Sequence, residues 1–548
     1  MEDVIVTSLA ELTKCEKFYN KMVESEKNFL VGSGPEDDGG FAAMLDLNML
    51  STCAPRELEV NERVQFASFK VVLNGKSQDL NPEQVQAVSY VAKMLNNEQP
   101  RAERDRKVFF LLGGAGTGKS GVISFLSQNI SELLITMAPT GIAATVIDCT
   151  TIHSTLGIPV ARQGESEKTS ENMANLEGGK LLSLQRHFHG KRVIIIDEVS
   201  FVSKGLMECI DFRLQQIFET KQFMGGLVVV CVGDFYQLRP SGGTSLCELR
   251  SKGKRLYSNI FEQSVIMELK QMMRPASSAS GMVLTEILKL MRTRPGQGMR
   301  LFLERVRVLS TEDREFSENA MMVVCSNVER YHLNLALARR FAAARNEKIY
   351  CWTTEIGAGS IDECPHKYSI FVRGARGIIN ENVAPFMCKI ANGTLVEMVS
   401  IVTSGIESHE ADGVVYLVRP PKFVRVRRKD DVLCVKKRKH PKESAQGSFQ
   451  VEPGFVFTFH KVQGITIETG KGIILDLNKR PPNIRNKLSN LTLEGVYVAM
   501  SRVKSLDQIR VSPWKFTGFD HLFKLAVKKK FPALQAAISL TKDLTYTW

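Results

Sequence analysis

Eight consecutive residues have the pattern of a phosphate-binding loop. A short apolar run, residues 108–112, precedes them, and they are Gly113, Gly114, Ala115, Gly116, Thr117, Gly118, Lys119 and Ser120. Glycines let successive backbone N–H groups turn toward a polyphosphate, and a helix that begins at the loop presents its positive end to the anion. The lysine reaches the β- and γ-phosphates, and the hydroxyl after it ligates Mg²⁺. The spacing predicts a nucleoside triphosphate site in which Lys119 contacts phosphate and Ser120 contacts the metal.

Two further groups follow apolar runs of the kind that form buried strands. Asp197 and Glu198 follow residues 193–196, and Gln237 lies shortly after residues 227–232. A carboxylate at a strand end can hold Mg²⁺ through water, and its neighbour can orient and deprotonate the attacking water. A glutamine in such a place can sense the γ-phosphate. The order of these groups after the loop predicts Asp197 as a metal ligand and Glu198 as the general base.

A helix start precedes the phosphate loop. Asn81 has the type of an N-cap residue, and Pro82 is a favoured first-turn residue. Gln84 lies in this first turn, where its amide could hydrogen-bond the edge of an adenine. Taken alone, Gln84 is better explained as a solvated helix residue.

The elements that must position these groups alternate along the chain. Four short apolar runs, residues 108–112, 133–137, 193–196 and 227–232, are separated by stretches of helical character. Such alternation predicts an α/β fold with a doubly wound parallel sheet, whose ligands bind at the carboxyl ends of the strands. The predicted loop, acids and glutamine all lie at such ends.

Composition limits the class of protein. A chain of 548 residues exceeds what one core supports, and its 43% apolar and 24% charged content is ordinary for a globular protein. We find no apolar run of the roughly 20 residues that span a bilayer, and no signal or transit sequence at the start. The 11 cysteines include no CxxC pair, which favours a reducing compartment. The net charge of +13 favours a polyanionic partner.

Taken in order, the motifs resemble those of the petite-integration-frequency type, RecD-like helicases of helicase superfamily one. The segments are GGAGTGKS (113–120), APTGIAA (138–144), TIHS (151–154), IIIDEVS (194–200), FMGGLVVVCVGDFYQL (223–238), ELKQMMRP (268–275), VVCSNVERYHLN (323–334), FTFHKVQGIT (457–466) and VYVAMSRVKS (496–505). The resemblance covers about residues 80–511. It implies two RecA-like domains that bind ATP and Mg²⁺ and move 5′-to-3′ on single-stranded DNA.

The resemblance also implies roles for single residues. Gln84 would contact the adenine, and Arg274 and Arg502 would approach the γ-phosphate, where positive charge stabilises the transferring group. Pro275 replaces the family's usual glutamine and restricts Arg274 toward an extended conformation. Further residues fall in motifs that face DNA or couple it to ATP: Thr140, His153, Asn327, His460, Lys461 and Gln463. Both histidines could instead be structural.

The predicted domain organisation has three parts. Residues 1–76 form an N-terminal accessory segment, and residues 77–260 form the first RecA-like domain with a small insertion at about 160–182. Residues 261–548 form the second, interrupted by a basic, β-rich insertion at about 365–450, where the family holds a small SH3-like barrel. In this insertion Arg425, Arg427 and Arg428 are predicted to contact the DNA backbone. The alternatives are a solvated charged hairpin and, at residues 436–439, a nuclear-targeting run.

The sequence thus predicts an ATP- and Mg²⁺-dependent helicase that unwinds duplex DNA in replication, repair or recombination. The expected partners are single-stranded DNA, DNA forks and replication or repair proteins, and no membrane. We expect a monomer inside the cell, in the nucleus rather than the cytoplasm or mitochondrion. One alternative is a helicase for RNA or RNA–DNA hybrids. Another is a DNA-binding scaffold with an inactive ATPase, against which the intact Lys119, Asp197, Glu198, Gln237 and Arg502 argue.

Overall fold

The computed structural model describes most of the chain between residues 63 and 513. The described residues are 63–73, 75–98, 107–159, 169–240, 243–246, 260, 264–273, 278–353, 359–380, 391–403, 405–421, 423–428, 431–436, 451–465, 467, 471–478 and 491–513. They form two compact units that divide between Pro275 and Ala276. We call the part before this division the first unit and the part after it the second unit.

The first unit alternates strands and helices. Its strands are β1 (Lys70–Leu73), β2 (Lys76–Asp79), β3 (Val108–Gly113), β4 (Leu134–Ala138), β5 (Thr150–Thr151), β6 (Val193–Ile196), β7 (Val228–Gly233) and β8 (Ser264–Leu269). Its α-helices are α1 (Pro82–Leu95), α2 (Lys119–Asn129), α3 (Gly141–Val146), α4 (Ile152–Thr155), α5 (Gly178–Phe188) and α6 (Lys204–Ile217). Short 3₁₀ turns lie at Ser131–Leu133, Ser170–Asn172, Val199–Phe201 and Phe223–Gly226.

Six of these strands form one parallel sheet in the order β5-β4-β6-β7-β3-β8. Alternate residues of β3 pack in different hydrophobic clusters: Phe110 lies in one, whereas Phe109 and Leu111 lie in another. Apolar residues on both faces are what a sheet covered by helices on both sides requires. The four predicted strands are all present, each within one residue of its predicted start.

The structure adds two pieces to the first unit that the sequence did not predict. Strand β8 pairs with β3, so the first unit continues to Pro275, whereas we had expected it to end at residue 260. Residues 63–76 had been assigned to an accessory segment, but Val71 is buried in the core of this unit. Strands β1 and β2 form an antiparallel hairpin. Gln128 of α2 joins this hairpin to the helix, since its Nε2 donates to the carbonyl of Val72 at 2.9 Å. Residues 1–62 lie outside the described residues.

The second unit holds more strands than helices. Its strands are β9 (Arg307–Val308), β10 (Met321–Val324), β11 (Ile349–Thr353), β12 (Tyr368–Val372), β13 (Arg376–Ile379), β14 (Leu395–Ile401), β15 (Ser408–Ala411), β16 (Val414–Leu417), β17 (Phe423–Arg428), β18 (Asp431–Lys436), β19 (Val451–Pro453), β20 (Val456–Thr458), β21 (Ile473–Leu475) and β22 (Ile509–Val511). Its helices are α7 (Ala279–Thr293), α8 (Pro295–Arg305), α9 (Arg314–Asn319), α10 (Asn327–Arg345), α11 (Phe459–Val462) and α12 (Leu493–Met500), with 3₁₀ turns at Pro365–Lys367 and Leu506–Gln508.

These strands form three sheets. One is parallel, in the order β20-β10-β21-β22-β9. A mixed sheet has the order β12-β11-β16-β15, and an antiparallel sheet has the order β18-β17-β14-β13-β19. Strands β12 to β18 all lie between residues 365 and 450, so this stretch of the chain is rich in strands. The parallel sheet of each unit agrees with the predicted α/β class.

Two properties of the described residues concern membranes and thiols. None of the helices in the described ranges is both long enough and apolar enough to cross a bilayer. The seven cysteines within those ranges are free thiols.

A buried ion pair fixes one edge of the parallel sheet in the second unit. Asp313 Oδ1 accepts from Arg510 Nε at 2.9 Å, and Asp313 Oδ2 accepts from the Ser310 N–H at 3.0 Å. The Ser310 N–H and Arg510 lower the pKa of Asp313 from 3.8 to about 2. Because the folded-state pKa is depressed, the stabilisation is complete above about pH 4 and is lost as the pH falls through about 2.

We therefore expect Asp313→Asn to lower the melting temperature at pH 7, and the difference from wild type to shrink on acidification toward pH 2. Thermal melts across this range measure the effect. Asp412→Asn is the control, because Asp412 is exposed in a turn at a positive φ of 51°, which asparagine also tolerates. Equal losses for both variants at pH 7 would show that the pair does not stabilise the sheet.

Candidate functional site

The phosphate-loop residues connect β3 to α2 as the sequence predicted. Gly116 and Gly118 have positive φ angles of 85° and 84°, which glycine adopts without a Cβ penalty. The Thr117 hydroxyl donates to the carbonyl of Gly114 at 2.9 Å and closes the turn. The result is a compact loop that ends at the amino terminus of an 11-residue helix.

Lys119 lies over this loop. Its Nζ donates to the carbonyls of Gly113 at 2.6 Å and Gly114 at 3.0 Å. Ser120 is the next residue of α2 and is exposed. The cation and the hydroxyl that the sequence assigned to phosphate and metal are therefore both at the loop.

The two acids follow β6. Burial and the neighbouring Glu198 charge raise the pKa of Asp197 to about 7, against the opposing attraction of Lys119. The Lys119 charge thus acts on the predicted metal ligand. Glu198 has a left-handed backbone, with φ 49° and ψ 44°. This conformation is uncommon for a residue with a side chain and is concentrated at functional sites.

Strand β7 completes this edge of the sheet. Since β6, β7 and β3 are adjacent and parallel, their carboxyl ends bring together the acids, the turn that holds Gln237 and the phosphate loop. Gln237 is only 3% exposed, and its N–H donates to the carbonyl of Asp234 at 2.9 Å. Sequence reasoning missed Gly233, at which a Cβ would lie 2.9 Å from the Val199 nitrogen. A glycine closing an apolar strand was the available signal.

Gln84 has a more specific place than a solvated helix residue. It is 2% exposed and closes a capping box, in which its Oε1 accepts from the Asn81 N–H at 2.9 Å. Its Nε2 donates to the carbonyl of Gly118 at 2.9 Å. Gln84 thus joins the start of α1 to the phosphate loop. Its contact with an adenine stays a prediction.

The first unit also holds two of the residues predicted to face nucleic acid. Thr140 is the N-cap of α3, where its hydroxyl accepts from the Ala143 N–H at 3.3 Å. His153 is half-buried in α4, and burial lowers its pKa. Both follow the carboxyl end of a strand of the parallel sheet, and their contact with DNA stays a prediction.

In the second unit, two predicted residues share a polar network that the sequence did not reveal. Asn327 Oδ1 accepts from Arg330 Nε at 3.2 Å, and the buried Arg330 donates to Glu452 Oε2. Lys461 Nζ lies 3.7 Å from the same Glu452 oxygen. Although burial opposes it, the charges of Lys461 and Arg330 lower the pKa of Glu452. The network links the start of α10 to α11. In the sequence, the spacing of Asn327 and Arg330 by one helical turn was the local pattern that could have indicated this contact.

The other predicted residues of the second unit are His460, Gln463 and Arg502. His460 is an exposed residue of α11, and Gln463 follows that helix and is 5% exposed. Arg502 lies just past α12, where its Nε donates to the carbonyl of Val498 at 3.1 Å. Arg274 lies outside the described residues.

The three arginines of the insertion do not share one face. Arg425 and Arg427 lie two residues apart on β17, so they point to the same side, and Arg428 points to the other. Arg427 Nη1 donates to Glu397 Oε2 on β14 at 3.2 Å, whereas Arg428 is opposite Asp431 of β18.

Comparison with known proteins agrees with the motifs. Residues 79–289 match the family model described as PIF1-like helicase. An ATP-dependent DNA helicase Pif1 of a Psychrobacter species is 33% identical over 139 residues, which are 25% of this chain and 20% of that protein. The Pif1 helicase of Bdellovibrio bacteriovorus is 31% identical over 163 residues, 30% of this chain and 33% of that one. The matches thus span a fifth to a third of these relatives' length.

Solved structures show the same fold over more of the chain. A Bacteroides Pif1 helicase in complex with ADP-AlF3 and ssDNA covers 85% of this chain and 98% of its own, with a TM-score of 0.53 and 19% identity. Pif1 from Candida albicans covers 85% of this chain and all of its own, with a TM-score of 0.54 and 18% identity.

Proposed function

We propose, from the confirmed resemblance of this chain to PIF1-like helicases, that it is an ATP-dependent DNA helicase that moves 5′-to-3′ on single-stranded DNA. The observation that supports this most is the edge of the first unit's parallel sheet. There the phosphate loop, the Asp197–Glu198 pair and the Gln237 turn follow neighbouring strands. Intact ATPase groups of this kind argue against a scaffold with an inactive ATPase.

The chain's own groups divide the work of hydrolysis. Lys119 and the backbone N–H groups of the loop neutralise and orient the β- and γ-phosphates. Glu198 positions water and accepts its proton, and Gln237 senses the γ-phosphate. A hydroxyl and a carboxylate are oxygen donors of the type Mg²⁺ prefers, so Ser120 and Asp197 fit that ion. When bound, Mg²⁺ would supply positive charge to the developing phosphate oxygens.

We propose that the antiparallel sheet β18-β17-β14-β13-β19 is the counterpart of the family's SH3-like barrel. Its position between α10 and β20, inside the second unit's α/β part, supports this. The basic strand β17 belongs to it, and we infer that its positive charge contacts the DNA backbone. The expected role of the whole is unwinding in replication, repair or recombination by a monomer.

Strand displacement tests this proposal directly. Duplexes that carry a 5′ or a 3′ single-stranded tail are prepared in DNA and in RNA, and unwinding is followed with ATP and Mg²⁺. We expect unwinding of the 5′-tailed DNA, because a helicase that moves 5′-to-3′ reaches the duplex only from a 5′ tail. Unwinding of the RNA substrates alone would favour the RNA helicase instead, because the 2′-hydroxyl is the group by which a protein distinguishes RNA from DNA. No ATP hydrolysis with any substrate would favour the scaffold.

Arg502 provides a second, independent test. If its guanidinium stabilises the transferring phosphoryl group, Arg502→Ala should lower kcat far more than it weakens ATP binding. Turnover and nucleotide affinity are measured at saturating single-stranded DNA. The control is Lys504→Ala, which removes a nearby exposed cation. Equal turnover in wild type and Arg502→Ala would remove Arg502 from the reaction.

A further inference from the structure

A cavity of about 360 Å³ lies in the second unit. The end of α10, the turn between β12 and β13, and strands β14 and β17 surround it. Its charged lining residues are Arg345, Glu347, Arg373, Glu397, Arg425 and Arg427. The volume is at the lower end of the roughly 300–1,000 Å³ typical of small-ligand pockets, so it exceeds what a single water or metal ion needs.

The charges of this cavity are unbalanced. Four arginines face it with only two glutamates, so two positive charges are in excess. One glutamate, Glu397, is paired with Arg427 at 3.2 Å. Like charges around one cavity repel each other, and an anion bound between them offsets that repulsion. The guanidinium fork also matches the geometry of phosphate oxygens, which it can bind in pairs.

A β-bulge brings an uncharged donor to the same cavity. Between β14 and β17, Glu397 is opposite Arg427 and Met398 is opposite Val426, but the next pair is Ser400 with Arg425. The extra residue between Met398 and Ser400 shifts the alternation of β14, so Ser400 faces the side that carries Arg425 and Arg427.

Ser400 is the feature that the fold itself does not explain. It lines the cavity and is 4% exposed. Its hydroxyl has no hydrogen-bond partner among the described residues. Buried hydroxyls nearly always have a partner, because leaving one without a partner costs free energy. A hydroxyl beside a cluster of arginines is a suitable donor to an oxyanion.

We propose that this cavity is a phosphate-binding site. The guanidinium groups of Arg345, Arg373 and Arg425 bind the phosphate oxygens, and the Ser400 hydroxyl donates to one of them. The group bound is either a phosphodiester of a nucleic-acid strand or a free phosphate, which present the same oxygens. Binding of a nucleic-acid phosphodiester rests on the proposed function, whereas binding of a free phosphate does not.

Binding of inorganic phosphate tests the site itself. All variants carry Lys119→Ala, so that the phosphate loop of the first unit does not contribute, and phosphorus NMR linewidths are followed in a phosphate titration. Adding Arg345→Gln with Arg373→Gln should weaken binding at least tenfold. The matched control is Arg340→Gln, an exposed arginine on the same helix that does not line the cavity. Equal affinity in the double variant and the control would overturn the proposal.

Ser400→Ala separates a ligand-binding hydroxyl from a structural one. Because the hydroxyl has no partner among the residues that the structure describes, its removal should leave the melting temperature without phosphate unchanged or raised, while phosphate affinity falls severalfold. A melting temperature that falls, together with unchanged phosphate affinity, would show that Ser400 is structural and contradict its assignment to the site.

A salt titration distinguishes the two sources. A labelled single-stranded oligonucleotide is titrated with wild type, the Arg345→Gln/Arg373→Gln variant and Arg340→Gln. If the site holds one strand phosphate, the double variant should flatten the slope of log K against log salt by about 0.7 relative to both others. Equal slopes with lost phosphate binding would assign the site to a free phosphate. Failure of the proposed function would appear separately, as wild type that binds no oligonucleotide at all.

Discussion

Replacement of Glu198 by glutamine is expected to leave ATP binding near the wild-type level while kcat falls by about 10²- to 10⁴-fold, the usual contribution of a general base. The amide has the size of the carboxylate and can still orient water, but it cannot accept the proton. Glu198 has a left-handed backbone, and its charge acts on the neighbouring Asp197. The measurement is steady-state hydrolysis at saturating single-stranded DNA, with nucleotide affinity determined separately.

The chain provides a matched control for this substitution. Glu219 is also a glutamate with a φ of 49°, and it is exposed in the same unit, where its Oε1 accepts from Gln185 Nε2 at 3.0 Å. Glu219→Gln removes the same charge from the same backbone conformation, so it should hydrolyse ATP like wild type. Near-normal turnover in Glu198→Gln would mean that another group activates the water.

The parts of the structure that could be predicted depend on local signals. The buried strands of the first unit are apolar runs, and the start of α1 is a local capping pattern, so both follow from neighbouring residues. The phosphate loop also follows from local order, because its glycines, lysine and hydroxyl are consecutive. The site formed where three predicted strands end, since parallel neighbours bring their carboxyl ends together.

The parts that could not be predicted depend on residues far apart in the chain. Strand β8 joins the first sheet only by pairing with β3, about 155 residues earlier. The Arg330–Glu452 pair joins residues 122 positions apart. Ser400 faces the arginines of β17 because of a bulge, and the alternation of β14 alone would have placed it on the other side. No local pattern contains such information.

A second large effect is expected from Gly118→Ala, which should weaken ATP binding by about 5- to 150-fold. Gly118 has a φ of +84°, and a Cβ there would lie 2.4 Å from Gln84 Nε2 and 2.8 Å from Met273 Cγ. The Gln84 amide cannot simply move away, because it donates to the Gly118 carbonyl and also closes the capping box of α1. The loop must therefore change shape, and a strained backbone of this kind costs about 1–3 kcal/mol, where about 1.4 kcal/mol is tenfold in affinity.

Gly190→Ala is the control for Gly118→Ala, because it introduces backbone strain without a steric clash. Gly190 has a φ of +73°, and a Cβ there would meet no atom of the described residues within 4 Å. Alanine at this position carries the same type of strain, so it should lower the melting temperature and leave ATP affinity unchanged. Nucleotide affinity and thermal stability are measured for both variants. If Gly118→Ala binds ATP like wild type, the loop tolerates a side chain at its last turn, and the contact between Gln84 and Gly118 does not determine the shape that binds phosphate.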